Sequence, residues 1–220
     1  MYFVNKNNLW GVIVPWRRFV NWIRKIFSRR RVIRLGLYGP PNAGKTTLAN
    51  KIAIDWTGEP VGRVSEVPHE TREVQKKERV VVQVGNKKLI MNLLDMPGIA
   101  TKIDYEEFMK YGLSKKEAQK RAKEATRGVI EAIKWLENVD TALVVMDSTK
   151  DPYTQVNITI IGNLEARDIP VIIVANKIDL KDAKPELIRE AFPQHPVVEI
   201  SGLTGKNIDL LYEAIAKYSR

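Results

Sequence analysis

The sequence predicts an α/β fold in three layers, a mostly parallel β-sheet with helices on both faces. Three observations point there. The runs "TALVVMD" at 141–147 and "PVIIVAN" at 170–176 are short and apolar throughout, as in strands buried on both faces. Segments of helical periodicity separate such runs, near 153–166, 185–192 and 207–218. With 44% hydrophobic and 28% charged residues, a chain of 220 residues can fill one large core.

The elements follow in order. Residues 1–34 carry Lys6, Arg17, Arg18, Arg24, Lys25, Arg29, Arg30, Arg31 and Arg34 and no Asp or Glu, so nearly all of the net charge of +10 belongs to this end. Within it, "PWRRFVNWIRKIFSRRR" at 15–31 predicts an amphipathic helix opened by Pro15. Trp16, Phe19, Val20, Ile23, Ile26 and Phe27 fall on one face, and Arg17, Arg18, Asn21, Arg24, Lys25 and Ser28 on the other. Two parts are therefore expected: a basic segment, 1–31, and a domain, 32–220. The domain opens with the strand "RVIRLGLY", a glycine-rich turn and a helix, "GKTTLANKIAIDW". Residues 73–84 and 88–94 read as a hairpin turning at "GNK", which adds one antiparallel strand. In 101–138, "DYEEFMKYG" is a short helix ending at Gly112, and "SKKE" is a capping box starting a long helix to about Glu137. "PVVEIS" at 196–201 is a last strand.

The chain has no Cys, which excludes disulfides and thiolate chemistry and fits a reducing compartment. No apolar run reaches the roughly 18 residues of a spanning helix. A cytoplasmic protein, peripheral at the inner membrane face, is the expected location.

"GPPNAGKT" at 39–46 matches G-x-x-x-x-G-K-[ST], and it lies between a strand and a helix as that motif requires. This makes the fold that of a P-loop NTPase. Backbone N–H groups of the loop, through Asn42, Ala43, Gly44 and on to Thr47, face phosphates. Gly39 and Gly44 permit the close wrap, Lys45 reaches the β- and γ-phosphates, and the Thr46 hydroxyl ligates Mg²⁺. The base is chosen elsewhere. In "NKID" at 176–179, the Asp179 carboxylate accepts from guanine N1–H and the 2-amino group, donors that adenine lacks. Lys177 lies over the base, and Asn176 ties this loop to the phosphate loop. In "DMPG" at 95–98, Asp95 holds Mg²⁺ through water and the Gly98 N–H senses the γ-phosphate. In "SGL", Ser201, Gly202 and Leu203, a backbone N–H donates to guanine O6. GTP or GDP with Mg²⁺ is the expected ligand.

These motifs, in this order, resemble the GTPase domain of the Era/TrmE-like, translation-factor-related GTPases over residues 32–219. The resemblance implies a six-stranded mixed sheet with five principal helices. It also implies a Thr that closes on Mg²⁺ and the γ-phosphate, Thr71 in "PHETRE", with Thr57 second. Where many GTPases orient water with a Gln after the D-x-x-G glycine, this chain has Ile99. Asn42 in the resembling family helps coordinate K⁺ in place of an arginine finger; the plainer alternative is that it shapes the loop. Slow turnover is expected. The family member Era carries a C-terminal RNA-binding KH domain, and this chain stops at Arg220, so that domain is expected to be missing.

The stretch from about Asp104 to Arg121 is surplus and highly charged, a solvated helix pair or else an effector or nucleotide-dependent dimer surface. His69 is expected to be a solvated loop residue, with a catalytic approach to the phosphates as the alternative, and His195, between Pro193 and Pro196, a loop residue. For 15–31, a helix at an anionic membrane interface leads. Packing on protein, binding of ribosomal RNA with aromatics stacked on bases, and a transit peptide remain open. A GTPase switch at the inner membrane and an RNA- or ribosome-associated GTPase are thus the two functional expectations.

Overall fold

The computed structural model describes residues 32–62, 73–100 and 102–219. The expected helix over 15–31, Thr71 and His69 lie outside the described residues. Six strands form one sheet in the order β2-β3-β1-β4-β5-β6. They are β1 Val32–Tyr38, β2 Gln75–Val84, β3 Lys87–Asp95, β4 Thr141–Asp147, β5 Val171–Asn176 and β6 Val197–Glu199. All neighbours pair in parallel except β2, which runs antiparallel to β3 at the edge. The hairpin turns at Gly85, whose φ of 52° suits the residue without a Cβ.

The helices are α1 Lys45–Thr57, α2 Tyr105–Met109, α3 Lys115–Lys134, α4 Gln155–Glu165, α5 Pro185–Ala191 and α6 Ile208–Tyr218. Alternation along the strands splits the core in two. Leu35, Leu37, Leu143, Val145, Ile172 and Val174 face α1 and α6, against Leu48, Ile52, Leu211 and Ile215. Tyr38, Val144, Met146 and Ile173 face the other way, against Ala132 and Leu136 and against Ile160, Ile161, Leu164 and Ile188. This is why β4 and β5 are apolar at nearly every position.

Three expectations need adjustment. The long helix tightens to 3₁₀ over Trp135–Asn138 before the chain enters β4. In β2 a bulge between Lys77 and Val80 puts Arg79 at φ 54°, with its N–H held by Asn92 Oδ1 at 2.9 Å. The helix pair of the surplus stretch has a small core of its own. Phe108 of α2 is buried against Ala118 and Ala125 of α3, and Arg121 is buried on the same face. The Ser114–Glu117 capping box that starts α3 is formed as predicted, with Ser114 Oγ accepting from Glu117 N and Glu117 Oε2 accepting from Ser114 N.

Candidate nucleotide-binding site

Because five strands run the same way, the loops that follow β1, β3, β4, β5 and β6 collect at one edge of the sheet. In the sheet β1 stands between β3 and β4, with the later strands stacked outward on the β4 side and the hairpin on the β3 side, and ligands of open α/β sheets bind where the strand order reverses in this way. The motif residues meet there.

The phosphate loop leaves β1 at Gly39, whose φ is 150°; a Cβ there would sit 2.2 Å from the Val145 carbonyl oxygen. Asn42 follows in the left-handed region with φ 60° and is exposed. Ala43 is buried. Gly44, at φ 92°, caps α1 without a side chain. A Cβ on Gly44 would lie 2.3 Å from Asn176 Nδ2. The two glycines leave the cradle that a phosphate chain fills.

Lys45 is buried, and its Nζ donates to the carbonyls of Gly39 at 3.2 Å and Pro40 at 2.8 Å. Burial lowers the Lys45 ammonium to about 8, a shift that the nearby Asp95 charge opposes. The Thr46 hydroxyl donates to Asp95 Oδ2 at 2.6 Å. Asp95 is wholly buried at the end of β3, in register with Leu37 of β1. Thr47 is half-buried on the first turn of α1.

After Asp95, Met96 N–H donates to Leu37 O and Ile99 N–H to Gly39 O, at 3.4 and 3.2 Å, so "DMPG" is laid against the phosphate loop. Gly98 packs there closely; a Cβ on it would be 3.0 Å from Pro41 Cα. The Ile99 side chain is buried in the core with Leu94, Met96 and Leu136. It therefore turns away from the surface where a water would be held.

On the base side, Asn176 Nδ2 donates to Ala43 O and its Oδ1 accepts from Gly202 N–H, both at 2.9 Å. One buried side chain joins the phosphate loop, the "NKID" loop and the "SGL" loop. Asp179 is exposed, and Lys177 stands at φ 68°. Ser201 is buried, its Oγ accepting from Thr204 N–H at 3.0 Å, while Leu203 is 77% exposed.

The structure corrects the second choice for the switch threonine. Thr57 is the last residue of α1, twelve residues beyond Lys45, and its hydroxyl is bonded back to Ala53 O at 2.8 Å. A rise of about 1.5 Å per residue carries it far from the phosphate loop. His195 pairs with Glu165 at 2.8 Å, away from this edge.

Two residues were missed from the sequence. Asp147 ends β4 and accepts from Lys177 Nζ at 2.7 Å and from the Thr149 N–H and hydroxyl at 2.9 and 2.7 Å. Burial pushes the Asp147 carboxyl up, but the bonds from Lys177 and Thr149 outweigh it and hold it below the ordinary range. The sequence signal was an acid closing an apolar strand. Asn50 of α1 accepts from the N–H groups of Val61 and Gly62 at 2.8 and 2.9 Å and donates to Gly62 O. It has no sequence signature.

Comparison with known proteins agrees with this arrangement. Residues 34–177, more than half of the chain, match the family described as the 50S ribosome-binding GTPase. The GTPase Era of Clostridioides difficile strain 630 is 31% identical over 194 residues, covering 84% of this chain and 54% of Era. The tRNA modification GTPase MnmE of Nitrosomonas europaea is 27% identical, covering 84% of this chain and 34% of MnmE. Among solved structures, Aquifex aeolicus Era bound to GDP and AlF₄⁻ superposes with a TM-score of 0.65 at 26% identity, over 86% of this chain and 57% of that one. Era in complex with MgGDPNP and nucleotides 1506–1542 of 16S ribosomal RNA gives 0.66 at 27% identity, over 87% and 58%. The chain spans about half the length of the Era proteins it matches, or less of MnmE. Its fold is that of a P-loop NTPase, and the chain belongs to the 50S ribosome-binding GTPase family, with a GTPase domain of the Era and MnmE kind.

Proposed function

We propose that the chain is a guanine-nucleotide switch that hydrolyses GTP slowly with Mg²⁺. The observation that carries this reading is the three-way tie at Asn176, which supports one continuous site from the phosphate loop to the base loops. The residues present suit the ligand. Lys45 offers a cation whose charge is underused among carbonyls until phosphate oxygens arrive. The Thr46 hydroxyl and Asp95 Oδ2 lie 2.6 Å apart, two hard oxygen donors side by side. Thr46 would hold Mg²⁺ directly and Asp95 through water, with Thr71 completing the set. Held by these residues, Mg²⁺ would supply neutralisation of the phosphate charge. The Gly98 N–H reads the γ-phosphate, and Asp179 reads guanine.

With Ile99 in the core, no side chain directly after Gly98 orients the attacking water. We therefore assign the missing positive charge to K⁺ held at Asn42. Calorimetry with Mg²⁺ tests the nucleotide: GTP and GDP bind and ATP does not, and equal affinity for ATP would remove the reading of Asp179. Hydrolysis faster in K⁺ than in Na⁺ at equal ionic strength, with the difference erased by Asn42→Ala, tests the ion. Equal rates in both salts would remove K⁺ and leave the GTPase standing.

The basic amphipathic segment at 15–31 supports action at an anionic membrane face. Full-length protein then sediments with anionic liposomes, protein lacking residues 1–30 does not, and Ser at Trp16, Phe19 and Ile23 weakens binding even at low salt. A second reading, an RNA- or ribosome-associated GTPase gripping RNA through this tail, is favoured by the likeness to Era solved with 16S ribosomal RNA. Binding abolished by moderate salt and insensitive to the apolar substitutions would select it. A nucleotide-dependent dimer is tested by sedimentation velocity in GDP and in a GTP analogue.

A further inference from the structure

The outer face of α3 is unexpectedly basic for a domain close to neutral. Its buried face is Ala118, Arg121, Ala125, Gly128 and Ala132, spaced by three and four. The opposite side therefore carries Lys116, Lys120, Lys123, Arg127 and Lys134, again spaced mostly by three and four. The first three steps rise ~4.5 to 6 Å each and the last, from Arg127 to Lys134, ~10 Å, so the whole row spans ~27 Å. Lys120 lies 4.0 Å from Glu124, a loose contact. Lys116, Lys123, Arg127 and Lys134 make no ion pair among the described residues. The helix carries seven Lys and Arg against three Glu, an excess of positive charge that an anionic partner offsets.

Beside the N-terminal half of this row lies a cleft of about 510 Å³, lined by Lys102, Ile103, Asp104, Tyr105, Gln119, Ala122 and Lys123. Two lysines, of which Lys102 lies 4.0 Å from the Asp104 carboxylate, and one aromatic ring are part of its lining. Tyr105 is held in place by packing on the small core of Phe108, Ala118 and Ala125. A fixed aromatic wall beside lysines, with an amide and a carboxylate within reach, is what a nucleotide unit of a single strand needs: a face for the base, donors and acceptors for the sugar, cations for the phosphates.

We propose that the outer face of α3 and this cleft are a docking surface for single-stranded RNA. A membrane fits less well. The large apolar side chains exposed on this helix, Ile130 and Ile133, lie beyond Arg127, away from the cleft beside its first half, and a flat bilayer does not enter a cleft. The family description, ribosome-binding, favours RNA over other polyanions. The proposal depends neither on the N-terminal segment nor on the nucleotide reading.

The test is photo-crosslinking of the full chain to single-stranded RNA carrying 5-iodouridine, with crosslinked peptides mapped by mass spectrometry. A crosslink on Tyr105 is expected, whatever residues 1–31 also do. The triple variant Lys116→Glu, Lys123→Glu, Arg127→Glu should lower that crosslink at least about fivefold. With alanines instead, the slope of log affinity against log salt should fall by about two, at roughly 0.7 per single-strand phosphate contact. Helix content by circular dichroism and GDP affinity should stay as in the parent. If either triple fails to fold, single Lys116→Ala and Lys123→Ala variants carry the same test, each lowering the slope by about 0.7. Crosslinks confined to residues 1–31, or a Tyr105 crosslink that the glutamates leave unchanged, overturn the proposal. So does polyglutamate competing as well as RNA of equal charge, which would mark an acidic protein as the partner.

Discussion

Lys177 Nζ donates to Asp147 Oδ2 at 2.7 Å, so the lysine at the base loop is braced by the last residue of β4. Both side chains are largely shielded, 29% and 15% exposed, and Thr149 fixes the other carboxylate oxygen. Lys177 sits in the left-handed region, where its backbone gives little latitude, so its long side chain depends on Asp147 for direction. Asp147→Ala should speed GDP release by about tenfold or more, the range of a lost charge-assisted hydrogen bond. Preference for guanine over adenine should persist because Asp179 is untouched. Stopped-flow release of a fluorescent GDP checks this; an unchanged off-rate would mean that Lys177 needs no brace.

Lys45 gives the site a pH dependence. Its ammonium is lowered to about 8 by burial, against the pull of Asp95. Between that value and the ordinary lysine value the unfolded chain binds more protons than the folded one. Stability of the nucleotide-free protein should therefore rise with pH through this window, and below it the buried charge is a standing cost. Lys45→Met should raise the nucleotide-free melting temperature at pH 7 while abolishing triphosphate binding. GTP affinity should fall as pH passes 8, because binding must then take up a proton. Calorimetry in buffers of different ionisation enthalpy measures that proton. Identical apparent enthalpies in such buffers at pH 8.5 would contradict it.

The sheet was legible because buried parallel strands leave continuous apolar runs, and "TALVVMD" and "PVIIVAN" became β4 and β5 within a residue of the expected bounds. The phosphate loop was legible because its chemistry fixes residue types at fixed spacing. Asp147 and Asn50 were not. Each acts through a partner distant in sequence, Lys177 for one and the Val61–Gly62 backbone for the other, and pairing of that kind leaves no periodic trace. The bulge at Arg79 was hidden too, since its signal is a bond to Asn92 across the hairpin. The charged stretch was read as solvated because its charges outnumber its apolar residues. A five-residue helix buries Phe108 there all the same.

Asp179 is exposed at the base loop, which leaves its carboxylate open to a ligand. Asp179→Asn replaces two acceptors with one acceptor and one donor. Guanine's two N–H groups then lose a partner, and xanthine's 2-oxo group gains one. Competition binding with XDP and GDP should show the preference inverted by at least about tenfold, the size of one unpaired polar contact. A variant that kept its GDP affinity would place base recognition elsewhere.

The strongest structural prediction concerns Asn176 and Gly44. The Asn176 side chain is 3% exposed and satisfies Ala43 O and Gly202 N–H at once. Alanine there leaves two buried backbone groups without partners, at about 1–3 kcal/mol each. Nucleotide affinity should fall with stability, because the two loops that Asn176 joins are those that grip phosphate and base. Gly44→Ala fails for two separable reasons. Its φ of 92° is unfavourable for any Cβ, and that Cβ would meet Asn176 Nδ2 at 2.3 Å. Removing the Asn176 amide removes the second reason and leaves the first. In urea unfolding, Gly44→Ala should therefore cost less in an Asn176→Ala background than in the parent chain, a coupling of about 1 kcal/mol or more. Strictly additive costs would mean that the loop relaxes around the new methyl group, and that Asn176 does not set how closely the phosphate loop approaches the base loops.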